Sequence, residues 1–553
     1  MLAIAGPPGG GAYRVQQLND AGLPVGPATE VDTAADLAPL ASDDERWLWD
    51  STAYTYPALL SSGIRVERCH DIALTERILL GRVGRFGEPR SARAVHARAT
   101  GGELPTEPAW TSDDQPVLFD PATLADQRDD VDTLDVLRTA YADQRRRAAG
   151  NPALGLLVAA ESASALAAVE MRRVGLPWRA DVHLDLLRQM LGPRPAPGRR
   201  PQRLAELAAE ITGAFGFAVN PDSVQDLRAA FQRAGFDIES TRSWVIKDLD
   251  HPAVPCVLQY KELSRMHTAN GWNWLDEWIR DGRFRPEYLP GGVVSGRWAT
   301  RGGGALQIPK PLRRAVVADP GQRLVVADAA QLEPRVLAAV SGDATLQQLS
   351  ADADLYSALA DDGFGGSRSR AKVAMLGAMY GATSGEAGRL LSTLRSRYPR
   401  AMQYVEDAAR RGEAGHVVHS VLGRACPPPS PAWREIVEIG SQQDATEPER
   451  RRAGQYARDR GRFTRNFVIQ GSAADWAAVW LSGLRRDLRA VPGAELVFFQ
   501  HDELIVQAPA ESAELVAELT VAAAEAARQL VFPGASALTP VRPVLVDCYA
   551  DAK

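Results

Sequence analysis

A chain of 553 residues exceeds the size at which one hydrophobic core keeps growing, so two or more domains are expected. Its composition, 45% apolar and 24% charged, matches an ordinary globular protein and excludes a disordered tail. A formal charge of −6 excludes a uniformly basic nucleic-acid coat, while leaving room for a focused positive groove. The start of the chain, Met1 to Gly10, has no basic region ahead of a long apolar stretch. No later run of about 18 apolar residues is evident, so a cytoplasmic protein with no membrane partner is expected. Cys69, Cys256, Cys426 and Cys548 are scattered without CxxC spacing, which argues against a zinc knuckle or a disulfide framework.

Residues 1 to about 100 mix short apolar runs, such as Arg46-Trp-Leu-Trp-Asp50, with helical stretches such as Asp71 to Leu80, predicting an α/β layer. Gly101 to Pro121 is rich in Pro, Thr and Asp and reads as a linker. Leu156 to Arg173 has helical apolar spacing, and Gly192 to Pro201 interrupts a mainly helical region, which predicts a long arm of helices. Arg323-Leu-Val-Val-Ala-Asp328 and Glu495-Leu-Val-Phe-Phe-Gln500 read as buried strands. The second is followed, after His-Asp-Glu, by a third strand, Leu504-Ile-Val-Gln507. Between them the spacing predicts a helix over Arg368 to Tyr380, with Ser367 as its N-cap and Gly381 as its C-cap.

The chemistry concentrates at three places. Asp328 ends an apolar strand, and Asp502 occupies the tight turn of a hairpin, where an acid is held rigidly. Each alone is an ordinary solvated strand end. Between them, Arg368, Lys372, Leu376 and Tyr380 recur at i, i+4, i+8 and i+12 and share one face of a helix, cationic at one end and aromatic at the other. Such a face suits a triphosphate and a base or sugar, although a solvated Arg/Lys stripe beside a core Tyr has the same spacing.

These residues resemble the DNA polymerase I-like family A of DNA polymerases. Asp328-Ala-Ala-Gln-Leu-Glu-Pro-Arg335 is similar to the family's motif A. Arg368-x3-Lys372-x3-Leu376-x3-Tyr380-Gly381 is similar to motif B, and His501-Asp502-Glu503-Leu504 to motif C. The similarity extends to Ser295-Gly-Arg297, to Leu306-Gln307-Ile-Pro309 with Arg313-Arg314, and to Asn466-Phe-Val-Ile-Gln470-Gly-Ser-Ala-Ala-Asp475. It implies an α+β multidomain chain with a right-hand polymerase (palm, fingers, thumb) behind a truncated α/β exonuclease-like, ribonuclease H-like domain. The bounds it implies are 1–150 for the exonuclease-like domain and 151–553 for the polymerase. Within the latter, the thumb would cover about 155–290, the palm about 291–345 and 465–553, and the fingers about 346–464.

The resemblance also implies roles. Asp328 and Asp502 would bind two Mg²⁺ ions, with Mn²⁺ able to substitute and Glu503 as a further candidate ligand, in a two-metal displacement. Arg368 and Lys372 would hold the incoming dNTP, with Lys372 counted among the catalytic residues. Gln331, Glu333, Leu376 and Tyr380 would complete the nucleotide site. Glu333, hydrogen-bonded to Tyr380, would leave no room for a ribose 2′-hydroxyl, which favours DNA synthesis over a single-subunit RNA polymerase. Arg297, Gln307, Arg335, Asn466, Gln470 and His501 would contact primer-template DNA, Gln suiting the shared minor-groove acceptors.

The chain departs from the family at several positions. Ala329 follows the motif A acid where an aromatic residue is usual, and Pro334 replaces a branched apolar residue. Leu376 stands where the family has Phe or Tyr, so it fills volume but cannot stack. Leu306-Gln307-Ile308 lacks an Asn between Gln and Ile.

Near the N-terminus, Tyr54-Thr-Tyr-Pro-Ala-Leu-Leu-Ser-Ser-Gly-Ile64 resembles the second motif of the family's 3′-5′ exonuclease, with Thr55 in place of the acid. Arg145 stands where the third motif would supply another acid, and the chain is expected to begin beyond the first acidic motif. Glu30-x-Asp32 reads as a surface pair. The expectation is therefore a monomeric, nucleoid-associated bacterial polymerase of DNA repair or gap filling, without proofreading and with no 5′-nuclease domain ahead of it. The alternative is a catalytically weak or inactive primer-template or DNA-end binding protein of the same fold.

Overall fold

The computed structural model describes residues 1–6, 12–42, 44–107, 133–301, 308–381, 385–500, 502–535 and 541–552. Gln307, His501 and the linker beyond Glu107 lie outside the described residues. The chain folds as two compact units. The first comprises Met1–Arg173, Tyr288–Ala299 and Val325–Leu545, and the second Val174–Glu287, Thr300–Leu324 and Val546–Lys553.

The first unit opens with a five-stranded sheet of β1 (Leu2–Ala5), β2 (Tyr13–Gln17), β3 (Thr29–Val31), β4 (Arg46–Trp49) and β5 (Arg68–Asp71), in the order β3-β2-β1-β4-β5. β1 runs antiparallel to β2 and parallel to β4, which is parallel to β5. Side chains alternate across a strand. Leu2, Ile4, Trp47 and Trp49 therefore enter one core, and Ala3 and Leu48 the other. Helices α1 (Thr52–Ser61), α2 (Ile72–Arg82), α3 (Ala92–Thr100) and α4 (Thr133–Ala148) accompany the sheet.

Leu2-Ala-Ile-Ala5 forms the central strand of this sheet, and it carries no acid. Glu30 and Asp32 are exposed as expected, but Glu30 lies within the edge strand β3.

Helix α5 (Pro152–Val174) follows, and the first unit contains it as far as Arg173. Ile78 and Leu79 of α2 and Leu157 and Met171 of α5 share one core with the residues around Asp328. By length and composition alone α5 is long and apolar enough to cross a membrane. It is nevertheless a core helix, with Glu161 and Glu170 buried in it and paired with arginines, an arrangement lipid would not support.

The second unit holds β6 (Leu176–Pro177), α6 (Ala180–Leu191), α7 (Gln202–Phe215), α8 (Val224–Arg233), α9 (Ser243–Ile246), α10 (Ala253–Asn270), α11 (Trp272–Trp278), β7 (Ile279–Arg280) and β8 (Arg283–Phe284). Leu187, Leu204, Leu207, Phe231, Val257 and Tyr260 recur at helical spacing and form its core. The helices on either side of Gly192 to Pro201 lie in this unit, whereas the helix expected over Leu156 to Arg173 lies in the first.

The chain returns to the first unit between β9 (Glu287–Leu289) and β10 (Ala299–Arg301), which flank the loop that carries Arg297. A four-stranded sheet follows, built from β11 (Gln322–Asp328), β12 (Glu495–Gln500), β13 (Glu503–Pro509) and β14 (Val544–Val546) in the order β12-β13-β11-β14. Between β11 and β12 lie α12 (Leu332–Ser341), α13 (Ala344–Leu349), α14 (Leu355–Gly363), α15 (Arg368–Tyr380), α16 (Gly385–Arg397), α17 (Pro399–Glu413), α18 (Pro431–Ser441) and α19 (Glu447–Asp487). Helix α20 (Ala513–Val531) packs against α19, with the Trp480 indole donating to the Thr520 carbonyl at 3.1 Å.

Candidate functional site

Leu324, Val325, Val326 and Ala327 of β11 are all buried, so the strand is covered on both faces. Asp328 emerges, half-buried, at its end. Asp502 sits in the turn between the antiparallel strands β12 and β13. Because β13 neighbours β11, the two acids are brought together, and the Ala329 amide donates to the Asp502 carbonyl at 2.8 Å. Glu503 is buried as the first residue of β13. Among the described residues no cluster of three or more His, Cys, Asp and Glu side chains forms a ligand shell. A metal here would rest on the two aspartates with water and substrate oxygens, a hard-oxygen environment that suits Mg²⁺.

Beyond Asp328 the chain turns sharply. Gln331 adopts φ 57°, an uncommon conformation for a residue with a side chain, and caps α12. Pro334 falls in the first turn of α12, where a missing N–H breaks no helical bond. This places Glu333 between two partners. Its carboxylate accepts from the Arg297 guanidinium and, at 2.8 Å, from the Tyr380 hydroxyl. Burial and the Glu333 charge raise the Tyr380 pKa, while a hydrogen bond from Gln470 opposes them. Arg297, Glu333, Tyr380 and Gln470, from four separate motif segments, therefore form one polar chain.

Helix α15 spans Arg368–Tyr380, with the Ser367 hydroxyl accepting from the Arg370 amide and Gly381 in the left-handed region at φ 74°. A Cβ at Gly381 would also press on the Arg462 side chain. Lys372 and Tyr380 are exposed on this helix, while Leu376 packs at the edge of the main core. Arg368 is engaged by a residue the sequence reading missed: its Nε donates to Asp354 Oδ2 at 2.6 Å. Asp354 also accepts from Gln331 Nε2 at 2.6 Å and Ser357 Oγ at 2.8 Å, and it caps α14. Burial pushes its carboxyl up, but the hydrogen bonds from Arg368, Gln331 and Ser357 prevail and hold it below the usual range. The signal was an Asp directly ahead of the apolar-periodic Leu355-Tyr-Ser-Ala358, the pattern of an N-cap.

Arg335 requires a correction. Expected at DNA, it is fully buried, and its guanidinium donates to the carbonyls of Ala330, Ser350, Asp352 and Ala353. Burial lowers its pKa to about 10. Four carbonyls take four of its five N–H donors, so it braces the turn after β11, and its burial leaves no face for a phosphate. Asn466 and Gln470 lie half-buried along α19.

In the N-terminal layer, Thr55 is half-buried in α1 and Arg145 exposed on α4. Three acids there are engaged in structure. Asp71 accepts from the Thr52 and Leu74 amides at 2.7 and 2.8 Å, and Asp50 from the Ala92 amide at 2.7 Å. Glu76 is fully buried between Arg98, Arg147 and Gln144.

The chain is 28% identical over 362 residues to DNA polymerase I of Chloroflexus aurantiacus, covering 58% of this chain and 36% of that protein. It is 27% identical over 372 residues to the thermostable DNA polymerase I of Thermus aquaticus, covering 60% of this chain and 42% of the relative. It thus spans less than half the length of these relatives. In fold it is similar to the POL domain of Pol1 from M. smegmatis, solved in complex with DNA primer-template and dNTP. That similarity has a TM-score of 0.71 at 17% identity and covers 99% of this chain and 95% of that one. The α+β polymerase fold therefore extends through the N-terminal layer. A sequence model of DNA polymerase family A matches residues 199–536, more than half of the chain and all of the segments that carry Asp328, Glu333, Arg368, Tyr380 and Asp502, and the chain belongs to that family.

Proposed function

We propose that the chain is a template-directed DNA polymerase that adds dNTPs to a primer 3′-hydroxyl by a two-metal mechanism. The observation that carries this reading is the backbone bond from Ala329 to Asp502, which brings Asp328 and Asp502 together at the ends of neighbouring strands. Asp328 and Asp502 would hold two divalent ions, which when bound supply a polarised primer hydroxyl and charge neutralisation at the departing pyrophosphate.

The remaining work falls to side chains. Lys372 and Arg368, exposed on α15, bind the triphosphate as charged donors, Arg368 exchanging Asp354 for phosphate oxygens. Glu333, fixed from both sides by Arg297 and Tyr380, fills the space beside the sugar and favours dNTPs. Gln470, Asn466 and Arg297 orient the primer-template. By likeness to the DNA-bound POL domain, primer-template DNA and dNTPs are the partners of this chain, which acts as a monomer in the bacterial cytoplasm, on the nucleoid, in repair or gap filling.

Proofreading is absent in this reading, because Thr55 and Arg145 replace acids and the buried acids of the N-terminal layer are committed to helix caps and arginines. A two-metal nuclease without carboxylates has nothing to hold its ions.

Primer extension with Mg²⁺ or Mn²⁺ tests the proposal. Template-directed products should form with dNTPs, in preference to rNTPs, and purified protein should not degrade single-stranded DNA from its 3′ end. Binding of primer-template without extension under either ion would overturn the enzyme reading in favour of a DNA-end binding protein.

A further inference from the structure

The loop that carries Arg297 is fixed by charges buried beneath it. Within this loop the Val293 amide donates to the Arg297 carbonyl at 3.0 Å, and the Gly296 amide to the Val293 carbonyl at 2.8 Å. The loop's base is held from α2 of the N-terminal layer, where Arg77 Nη2 donates to the Pro290 carbonyl at 3.0 Å and pairs with Glu161. Glu161 in turn accepts from Arg424 Nη2 at 2.9 Å, and Arg424 approaches Asp475 at 3.5 Å. Glu161 and Asp475 are 1% and 0% exposed, so each charge in the cluster depends on its partners.

The fit is close at both ends of the loop. Gly291, at φ 58°, leaves no room for a Cβ against Arg77 and Glu161, and a Cβ on Gly296 would collide with Arg424. The turn that presents Arg424 is closed by the Ser420 amide donating to the Arg424 carbonyl at 2.9 Å. It too is gripped from α2, by Arg82 Nη1 donating to the Gly423 carbonyl at 2.8 Å. One helix of the N-terminal layer therefore places an arginine on each of the two segments that define where Arg297 stands. Arg297 then meets Glu333.

We propose that Arg77 and Arg82 are positioning residues for nucleotide addition: through Pro290, Glu161 and Gly423 they set the loop that delivers Arg297 to Glu333, making α2 a working part of the polymerase site. This inference rests on the polymerase reading. It gives the N-terminal layer a role that requires no nuclease chemistry. Freed from Arg77, the loop keeps its internal turn but loses the anchor that fixes its direction, and a misplacement of about 1 Å at a catalytic constellation costs on the order of a hundredfold in rate.

The test is a double-mutant cycle in the full chain. Arg77→Gln and Arg297→Ala are made singly and together, and kcat, the KM for dNTP and the Kd for primer-template are measured below the unfolding temperature of every variant. Arg77→Gln should lower kcat by at least about tenfold while KM and Kd stay within about threefold, the split expected when geometry rather than binding is lost. Arg297→Ala should then cost at least about fivefold less in the Arg77→Gln background than in the parent, the signature of two residues acting in series. Arg77→Lys should recover part of kcat.

If Arg77→Gln does not fold, Arg82→Gln, at the half-buried edge of the cluster, carries the same cycle. Multiplicative effects of the two substitutions, or a kcat that does not fall, would overturn the inference while leaving the polymerase reading intact. A parent chain that extends no primer would overturn both.

Discussion

The two sheets of the first unit use acids at strand ends in opposite ways. In the N-terminal sheet, Asp50 and Asp71 follow and end the parallel neighbours β4 and β5, and their carboxylates accept main-chain amides of adjacent helices. In the second sheet, Asp328 and Asp502 stand at the meeting point of β11 and β13, and the bond that ties them uses the main chain of Asp502. The lesson is that an acid at a strand end is read by which of its atoms carries the structural load. In the first sheet the carboxylates do so and act as caps; in the second a main-chain bond sets how closely Asp328 and Asp502 approach.

The sharpest way to break this contrast is to remove one acid from each sheet. Asp502→Ala should lower the rate of primer extension by at least about a thousandfold, the scale on which metal-supported charge stabilisation acts. DNA binding should persist, because it comes from phosphate contacts and falls with salt. Wild-type extension by this variant would remove Asp502 from the site.

Asp50→Asn probes the other sheet, with unfolding by urea measured at pH 4.5 and pH 7. Burial, against the opposing Ala92 hydrogen bond and with the charges of Asp71 and Glu107 adding to it, pushes the Asp50 carboxyl up to about 6. The folded state thus holds this proton more tightly than the unfolded chain, and stability is lost as pH rises from about 4 through 6. Asn keeps an acceptor for the Ala92 amide and does not ionise. The variant should be more stable than the parent at pH 7 by roughly 1–3 kcal/mol, the gain should shrink at pH 4.5, and extension should be unchanged. A pH-independent difference would show that Asp50 does not titrate on folding.

The smallest effect concerns Leu376, which packs at the core edge on the helix that carries Lys372 and Tyr380. Leu376→Phe adds a ring where the family has one and should lower the KM for every dNTP by up to roughly tenfold, about 1 kcal/mol of aromatic contact. Dependence on Asp502 should not change. An unchanged or raised KM would mean that the site has repacked around leucine.

Much of the second sheet and its helices was legible in the residues themselves. Helix α15 begins and ends where Ser367 and Gly381 predict, because caps are local chemistry. β12 spans Glu495–Gln500, and β11 ends at Asp328, as the apolar runs imply. What the sequence did not show is set by long-range packing. β1 is only four residues long, too short for its period to stand out beside the Gly- and Pro-rich segment that follows. Arg335 was placed at DNA by resemblance alone, and the carbonyls that surround it come from residues up to 18 positions away. The bonds of Arg77 to Pro290 and of Arg82 to Gly423 span 213 and 341 positions, beyond the reach of any local pattern.

Pro334 has a consequence outside the folded site. Its ring fixes one backbone angle before the chain folds, in the first turn of α12, beside Glu333. A branched residue there would leave the unfolded chain more freedom to lose, worth about 0.4–1 kcal/mol when the folded geometry accepts proline without strain. The departure from the family pattern at this position thus stabilises through the unfolded ensemble. Pro334→Val should lower the unfolding free energy measured in urea by that amount even though no contact to Arg297 or Tyr380 is removed.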